Sequence, residues 1–588
     1  MRNLIRSEPT LTMIALVMVI ILSIPLAVLT LRPQVAHATA AQAMSNPKSN
    51  NPVCSKNGKS IELSQGGQMF CKGPQSNGPA SSMRTSASVT SSSSNPSFGS
   101  NVDAATLQED VTPSGVQVHG QSETSIASAG PYVVEAWNDG TGFFAPCGSP
   151  MNKEELTGFG FSTDGGKTFT DLGGLPNSNC ANSLTEGDPS VEAYTVGGST
   201  YFYISSIFIP FSVPENALSV TACKVNGSGA TATLACSQPI VAAISSDCVT
   251  FPGPPPFTFC SFLDKEFLSI DPVHARLYMS YTEFGVSSLA NSGGIIELAV
   301  CDLSSPASPT CHNGSDGSIT GAGAPATPYL VVAPGDVNGC ENEGAYPAVD
   351  PNTGAVYVAY EHNWFSGLFN CGGETTQDVM NYVPFSCLTL ASISPCAGPA
   401  STQAVNITSL EAAFIPGYNR FPMNDFPRVA VSGPAGTVSM VWNDTRQHGT
   451  GDIFLQSFNL GSLSLVQSSP VRINSRNNSG GWLFLPAVRQ SGSNGTLNVS
   501  FYSRSSANTA LTDVSVATKV NPRTTSTPTK NNTTVTTGSS DWLSVSSIIV
   551  PNFGDYTDNY FVGTTLYVAW SDGRLGFPQP FEDHISVH

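Results

Sequence analysis

Seven times along this 588-residue chain, a short β-type run led by a polar or acidic residue meets a turn and returns as a run rich in Tyr, Val and Trp. The copies are SETSIASAGPYVVEAWND (122 to 139), GDPSVEAYTVGGSTYFYISS (187 to 206), DKEFLSIDPVHARLYMSYTE (264 to 283), AYPAVDPNTGAVYVAYEHN (345 to 363), DFPRVAVSGPAGTVSMVWND (425 to 444), FLPAVRQSGSNGTLNVSFYSR (484 to 504) and GDYTDNYFVGTTLYVAWSDGR (554 to 574). They recur every 60 to 80 residues or so, room for four strands and their loops in each unit. After the fifth copy, GDIFLQSF and SPVRIN read as the third and fourth strands. A hairpin repeated at this interval predicts an all-β fold, a β-propeller of seven four-stranded blades rather than a sandwich. Six blades is the alternative, should the copy at 484 to 504 be only a partial blade. After the seventh copy only DHISVH remains, one strand short of a blade. VQVHG (116 to 120) precedes the first hairpin as PVRIN precedes the sixth, and is predicted to close the ring as the missing N-terminal strand, removing an exposed edge.

Charged residues are only 11% of the chain, against about 25% in an average soluble protein. The net charge is −18, and no Lys/Arg cluster occurs beyond the extreme N-terminus. Such a field repels phosphate backbones, so nucleic acid is not an expected partner. Arg2 and Arg6, an apolar run from Met13 to Leu31 and the small residues Ala36, Ala38 and Ala40 have the order of an export signal. The run is also long enough to span a bilayer, so residues 1–38 are a cleaved signal or a membrane anchor. Either way the rest of the chain is secreted or held at the cell surface, touching the membrane only through an uncleaved segment. Residues 39–115 read as a Ser/Gly/Pro-rich linker with a small loop, CSKNGKSIELSQGGQMFCKG, in which Asn57-Gly58 signals a hairpin turn. Residues 116–588 are the expected propeller. Fourteen cysteines fall into near neighbours: Cys54 with Cys71, Cys147 with Cys180, Cys223 with Cys236, Cys248 with Cys260, Cys301 with Cys311, Cys340 with Cys371, and Cys387 with Cys396. They lack metal-site spacing and predict seven local disulfides in an oxidising compartment.

In an antiparallel hairpin the start of the first strand lies beside the end of the second, so the acidic ends of the repeats gather on one face of the ring. That face collects Glu123 and Asp139, Asp188, Asp264 with Glu266 and Glu283, Glu343 and Glu361, Asp425 and Asp444, and Asp555 with Asp572. A loop-walled mouth with a few polar groups is the default place for a ligand. Asp264, Glu266, Asp425 and Asp555 are the candidate acids and bases, with Tyr556 beside them. Asp188, Glu343, Arg428, Arg446, Arg504 and Arg574 are the candidate ligand-binding groups. The plainer reading is that Asp and Asn at strand ends accept backbone N–H bonds in turns, and that Trp137, Trp442 and Trp570 are blade core. No cofactor motif is identifiable, although carboxylates on this face are available to hold a structural Ca²⁺.

The segment FSTDGGKTFTDLG (161 to 173) lies between the third and fourth strands expected for blade one. Its Ser162, Asp164, Gly166, Thr168 and Phe169 match S-x-D-x-G-x-T-[WF], which resembles the Asp-box of the sialidase-like, BNR-repeat propellers. GDPSV, DKEF, AYPAVD, FGDYT and the endings WND and AWSDGR are similar to secreted prokaryotic members. The resemblance covers about 116 to 588 and implies the fold; Asp-boxes are structural turns and imply no activity. Sialidases, by the same resemblance, use three arginines for the substrate carboxylate, a Tyr nucleophile paired with a Glu, and an Asp acid/base. This chain has no F/Y-R-I-P motif, its blade one has no arginine, and Tyr556 and Tyr346 have no identifiable Glu partner. Two functions follow. One is an exported recognition module for extracellular glycan or a protein surface; the other is a sialidase-like exo-glycosidase using a carboxylate pair about 5 to 10 Å apart with one member desolvated. An adhesive or surface-layer role is a third.

Overall fold

Apolar runs in the repeats give the inner strands two faces to bury between neighbouring sheets, and in the computed structural model seven antiparallel sheets pack in this way in sequence. The structure describes residues 55–56, 59–60, 98–106, 120–144, 155–177, 182–212, 215–245, 248–253, 256–260, 262–284, 294–312, 330–333, 341–364, 376–388, 400–406, 415–419, 426–474, 481–527, 532–547 and 551–587. The chain divides into two units, Met1–Thr85 and Ser86–His588. In the first, Ser55–Lys56 pairs with Lys59–Ser60 on either side of Asn57-Gly58. The second holds the propeller.

Blade 1 runs Gln121–Ala129, Tyr132–Asp139, Thr157–Ser162 and Thr170–Gly174. Blade 2 runs Val191–Val196, Ser199–Pro210, Ala217–Asn226 and Thr233–Cys236, and blade 3 runs Phe262–Asp271, Arg276–Phe284, Ile295–Asp302 and Thr310–His312. Blade 4 is Glu341–Val349, Val356–Trp364, Gln377–Val383 and Ala400–Asn406, and blade 5 is Arg428–Ser432, Thr437–Asp444, Asp452–Asn459 and Val471–Arg472. Blade 6 is Leu483–Ser491, Thr496–Ser503, Leu511–Val520 and Thr533–Thr534, a full sheet that settles the count at seven. Blade 7 is Asp558–Val562, Thr565–Asp572 and Gln579–Ser586, with Val102–Asp103 on its outer edge. The first strand of each blade packs against the first strand of the next, and that of blade 7 against that of blade 1, so these seven strands line the axis.

The closing strand is not the one the sequence suggests. Val102 lies opposite Glu582 and Asp103 opposite Phe581, and Ala104 N donates to Pro580 O. Val116–His119 lie outside the described residues, and the propeller therefore begins upstream of residue 116. Side chains fix the closing segment: Asn101 Nδ2 donates to Asp583 and to Val535 O of blade 6, and Thr106 N donates to Asp171 of blade 1. Two paired residues carry no readable alternation, whereas VQVHG does.

Between blades the core is continuous. Trp137, Trp442 and Trp570 are fully buried. In blades 5 and 7 a local device recurs: Asp444 and Asp572 accept the indole N–H of the tryptophan two residues before them and the guanidinium of the arginine two residues after. Cystines join cross-strand pairs at Cys223–Cys236 and Cys301–Cys311, between third and fourth strands, and at Cys248–Cys260 in a separate hairpin. Cys387 is also disulfide-bonded. The other cysteines (Cys54, Cys71, Cys147, Cys180, Cys340, Cys371 and Cys396) and the run Met13–Leu31 lie outside the described residues. Among the described residues no helix is long and apolar enough to cross a membrane.

Candidate functional site

A register shift interrupts the first hairpin in four blades, between Ser122 and Ser125, Asp264 and Phe267, Glu343 and Tyr346, and Phe484 and Ala487. Such bulges re-aim side chains next to functional sites. The first inserted residue takes left-handed backbone: Glu123 at φ 56°, Lys265 at 58°, Leu485 at 49°, and Gly344 at 68°. Asp188 of blade 2 is also left-handed, at φ 56°. For residues with a side chain this costs on the order of 1–3 kcal/mol each, and such strain clusters at functional positions. Glu123, Asp188 and Lys265, from blades 1, 2 and 3, meet at one point.

Lys265 is the centre of that point, with its side chain only 8% exposed. Its Nζ lies 2.5 Å from Asp188 Oδ2, 3.2 Å from Asp555 Oδ2 and 3.6 Å from Glu123 Oε1. Asn138 Nδ2 donates to Glu123 Oε2 (2.9 Å) and Asp188 Oδ1 (3.2 Å), while its Oδ1 accepts from Asp188 N. Asp555 N donates to Glu123 Oε1 at 2.9 Å, and Tyr418 Oη donates to Asp555 Oδ1 at 3.2 Å. Burial opposes ionisation of Asp188, but the Lys265 ammonium and hydrogen bonds from Glu123, Lys265 and Asn138 outweigh it and hold the carboxyl well below the usual range. Glu123 goes the other way, raised by burial and by the charge of Asp188. Asp264, half-buried, is raised to about 7 by burial and by Asp188, with Lys265 opposing. The cluster therefore sets an ionised Asp188 beside a Glu123 carboxyl whose proton affinity is raised and an Asp264 poised near neutral pH to gain or lose a proton.

Beneath the cluster the axis is plugged. The Arg428 guanidinium, 2% exposed, stands 4.2 Å from the Phe267 ring centre, 4.6 Å from Tyr346 and 5.4 Å from Tyr556. Tyr556 Oη donates to Pro189 O at 3.0 Å, and burial raises its pKa well above the usual phenol, which does not suit a nucleophile. Beyond the plug, Arg489 Nη1 lies 2.9 Å from Glu192 Oε1 at a cavity of about 200 Å³.

Of the candidate acids, Asp264, Asp188 and Asp555 are brought together. Glu266 follows Lys265 but is wholly buried, and burial with the charge of Asp188 raises it well above normal. Glu343 faces Glu361 across blade 4, buried. Asp425 lies outside the described residues. The arginines do not converge. Arg446 and Arg574 are held by Asp444 and Asp572 of their own strands, and Arg504 is buried, donating to Thr512 Oγ1 and Pro416 O. Arg428 is in the plug. Sequence reasoning passed over Lys265, whose one signal is a lone cation inside the DKEF of an acid-rich repeat, and over Asn138 and Tyr418.

The Ser162–Phe169 turn is held by its own side chains and by Gly165 N, which donates to Pro131 O at 2.8 Å. Ser162 Oγ donates to Asp164 Oδ1 (2.8 Å) and accepts from Gly166 N (2.9 Å), and Asp164 accepts from Thr168 N and Oγ1. It belongs to the outer half of blade 1 and not to the mouth. Among the described residues Glu215, Cys248 and Cys260 bring ligand-type atoms within 4.8 Å of one another, but both sulfurs are spent in a disulfide.

No family model matches this chain, and no curated protein does. Among solved structures, Trypanosoma rangeli sialidase in complex with the inhibitor DANA is similar over 83% of this chain at 9% identity, with a TM-score of 0.33. This chain spans 58% of that sialidase's length. The NanB sialidase from Streptococcus pneumoniae is similar over 84% of this chain and 71% of its own, at 12% identity and a TM-score of 0.33. The alpha-L-arabinofuranosidase from Lactobacillus brevis is similar over 64% of this chain and 94% of its own, at 12% identity and a TM-score of 0.26. Likeness at these levels carries no weight for activity.

Proposed function

We propose that this chain is an exported recognition propeller whose mouth binds a neutral, hydroxyl-rich glycan on an extracellular surface. One observation carries the reading: carboxylates from blades 1, 2, 3 and 7 gather around Lys265 at the mouth, while Arg446, Arg504 and Arg574 are committed to their own blades. An anionic sugar needs clustered guanidiniums; the acceptor this cluster leaves partly exposed is the Asp264 carboxyl, which suits a sugar hydroxyl. Strain at Glu123, Asp188 and Lys265 supports a binding role for the cluster. The cystines support export, because such bonds persist in oxidising compartments. The test is binding of the full chain and of Asp264→Asn to an array of neutral and sialylated glycans. The reading expects neutral glycans to be retained and the variant to lose most of that signal; selective retention of sialylated glycans would overturn it.

A second reading is favoured by one feature, the opposed proton affinities of Asp264 and Asp188. A carboxyl with a pKa near 7 is suited to protonate a glycosidic oxygen while an ionised neighbour stabilises the developing positive charge. Release of sugar from neutral oligosaccharides, lost in both Asp264→Asn and Asp188→Asn, would establish it. Absence of turnover in the unmodified chain would remove it.

A further inference from the structure

Asn-x-Ser/Thr tripeptides recur along this chain, and in five of them the structure describes the Asn side chain. Such a tripeptide is an acceptor for N-glycosylation where it lies on the surface of an exported protein. Burial and hydrogen bonding sort the five. Asn443 and Asn498 are wholly buried, and their side-chain oxygens accept from Leu485 N at 2.9 Å and Lys519 N at 3.2 Å. Asn532 is half-buried and already partnered. Asn226 and Asn494 are exposed, and among the described residues neither side-chain amide has a hydrogen bond.

Both stand at turns. Asn226 ends Ala217–Asn226 of blade 2 and is followed by Gly227 and Ser228, all three exposed. Asn494 lies between Leu483–Ser491 and Thr496–Ser503 of blade 6. The next residue is in each case a glycine in left-handed backbone, φ 82° at Gly227 and 66° at Gly495, so the chain bends directly after the Asn and leaves it at an accessible tip. The Ser228 hydroxyl caps no backbone N–H, whereas the Thr496 hydroxyl is bonded to that of Ser491 at 2.6 Å, so the triplet at Asn226 is the freer of the two. Both turns lie at the end of the ring away from the mouth. In blade 6 Leu483 pairs with Ser503 at the mouth and Ser491 with Thr496 at the far end; in blade 2 Ala217 pairs with Phe208 at the mouth and Asn226 with Thr233 at the far end.

We propose that Asn226, and Asn494 to a lesser extent, carry N-linked oligosaccharide, which rests on export of the chain. The donor is an oligosaccharide on a polyprenyl diphosphate. Asn Nδ2 attacks C1 of its first sugar: the Nδ2–C1 bond forms, the bond from C1 to the diphosphate oxygen breaks, and the proton lost from Nδ2 balances the charge of the departing diphosphate. Sugar at these turns covers the far face of the ring and leaves the mouth open, so the modification is independent of what the mouth binds.

The test is mass spectrometry of peptides from the chain purified from the cells that produce it naturally, before and after enzymatic release of N-glycans. The expected result is an intact oligosaccharide on most copies of Asn226 and on fewer copies of Asn494, with Asn443 and Asn498 bare. Asn226→Gln, made in the same cells, should lose the first increment and keep the second. Cell location and free thiols are measured on the same sample, which separates two failures. A bare Asn226 on an external, cystine-bonded chain would overturn the proposal and leave export standing. A cytoplasmic chain with free thiols would overturn both. Sugar on Asn443 or Asn498 in place of Asn226 would also overturn it, because exposure and freedom from hydrogen bonds would then not select the acceptor.

Discussion

Replacing Lys265 by Met tests the mouth most severely, because the stem stays while the ammonium goes. That ammonium lies 2.5 Å from Asp188, 3.2 Å from Asp555 and 3.6 Å from Glu123, and the side chain is 8% exposed. Removing one partner from a buried ion pair costs about 3–5 kcal/mol, chiefly because the other charge is left uncompensated. The penalty must depend on pH. In the unmodified chain Lys265 and the hydrogen bonds keep Asp188 ionised; without them burial raises its carboxyl, and protonation relieves the repulsion. Each unit by which ambient pH falls below the new pKa returns about 1.4 kcal/mol. The loss at pH 7 is therefore expected to shrink to roughly 1–2 kcal/mol at pH 5. Urea unfolding followed by the fluorescence of the buried tryptophans would measure it. A loss within about 0.5 kcal/mol at both pH values, the range of an exposed substitution, would refute a desolvated cluster. A large loss that does not change with pH would refute the assignment of Asp188 as the ionised member.

Other outcomes follow from the same geometry. Glu155, buried against Thr185 and Asn177, and Asp264 both have carboxyls raised to about 7, so between about pH 4 and 7 the folded chain binds more protons than the unfolded one. Their contribution to stability is present below that window and lost as pH rises through it; Glu155→Gln should flatten the decline, and an unchanged slope in urea midpoints would contradict this. Arg574→Ala removes the donors on Asp572 and a guanidinium 4.8 Å from the Phe581 ring centre, and should cost about 1–3 kcal/mol of stability while leaving glycan affinity unchanged. Val102→Pro should weaken the last blade through the closing strand and lower the thermal midpoint, whereas Val116→Pro should not; equal effects would speak against closure by residues 102–103.

The blades are legible in the sequence because each second strand is a short run rich in apolar residues between turns, as LYVAW at 566 to 570 is, and both of its faces are buried between neighbouring sheets. The Ser162–Phe169 turn is legible because the hydrogen bonds of its Ser, Asp and Thr side chains are local. Side chains whose roles depend on several blades are harder to read. Asp188, Asp264 and Asp555 are visible as strand-end acids, but nothing local says that a lysine 77 residues beyond Asp188 will sit between them. Arg446 and Arg574 look like ligand groups because they follow the strand ends. The tryptophan–aspartate–arginine spacing that occupies them is visible only once the indole N–H is seen to share the same carboxylate. The closing strand is obscure for a related reason, since its hold on blade 7 rests on two backbone pairs and on Asn101 rather than on a hydrophobic pattern.

On the proposed function, ligand is held at the Asp264–Asp188–Lys265 cluster. The pH dependence of affinity, measured from pH 5 to 8 with the neutral glycan retained best by the unmodified chain, tests it directly. A transition near pH 7 that disappears in Asp264→Asn is the predicted result. A flat profile in the unmodified chain, or the same transition in the variant, would contradict the claim.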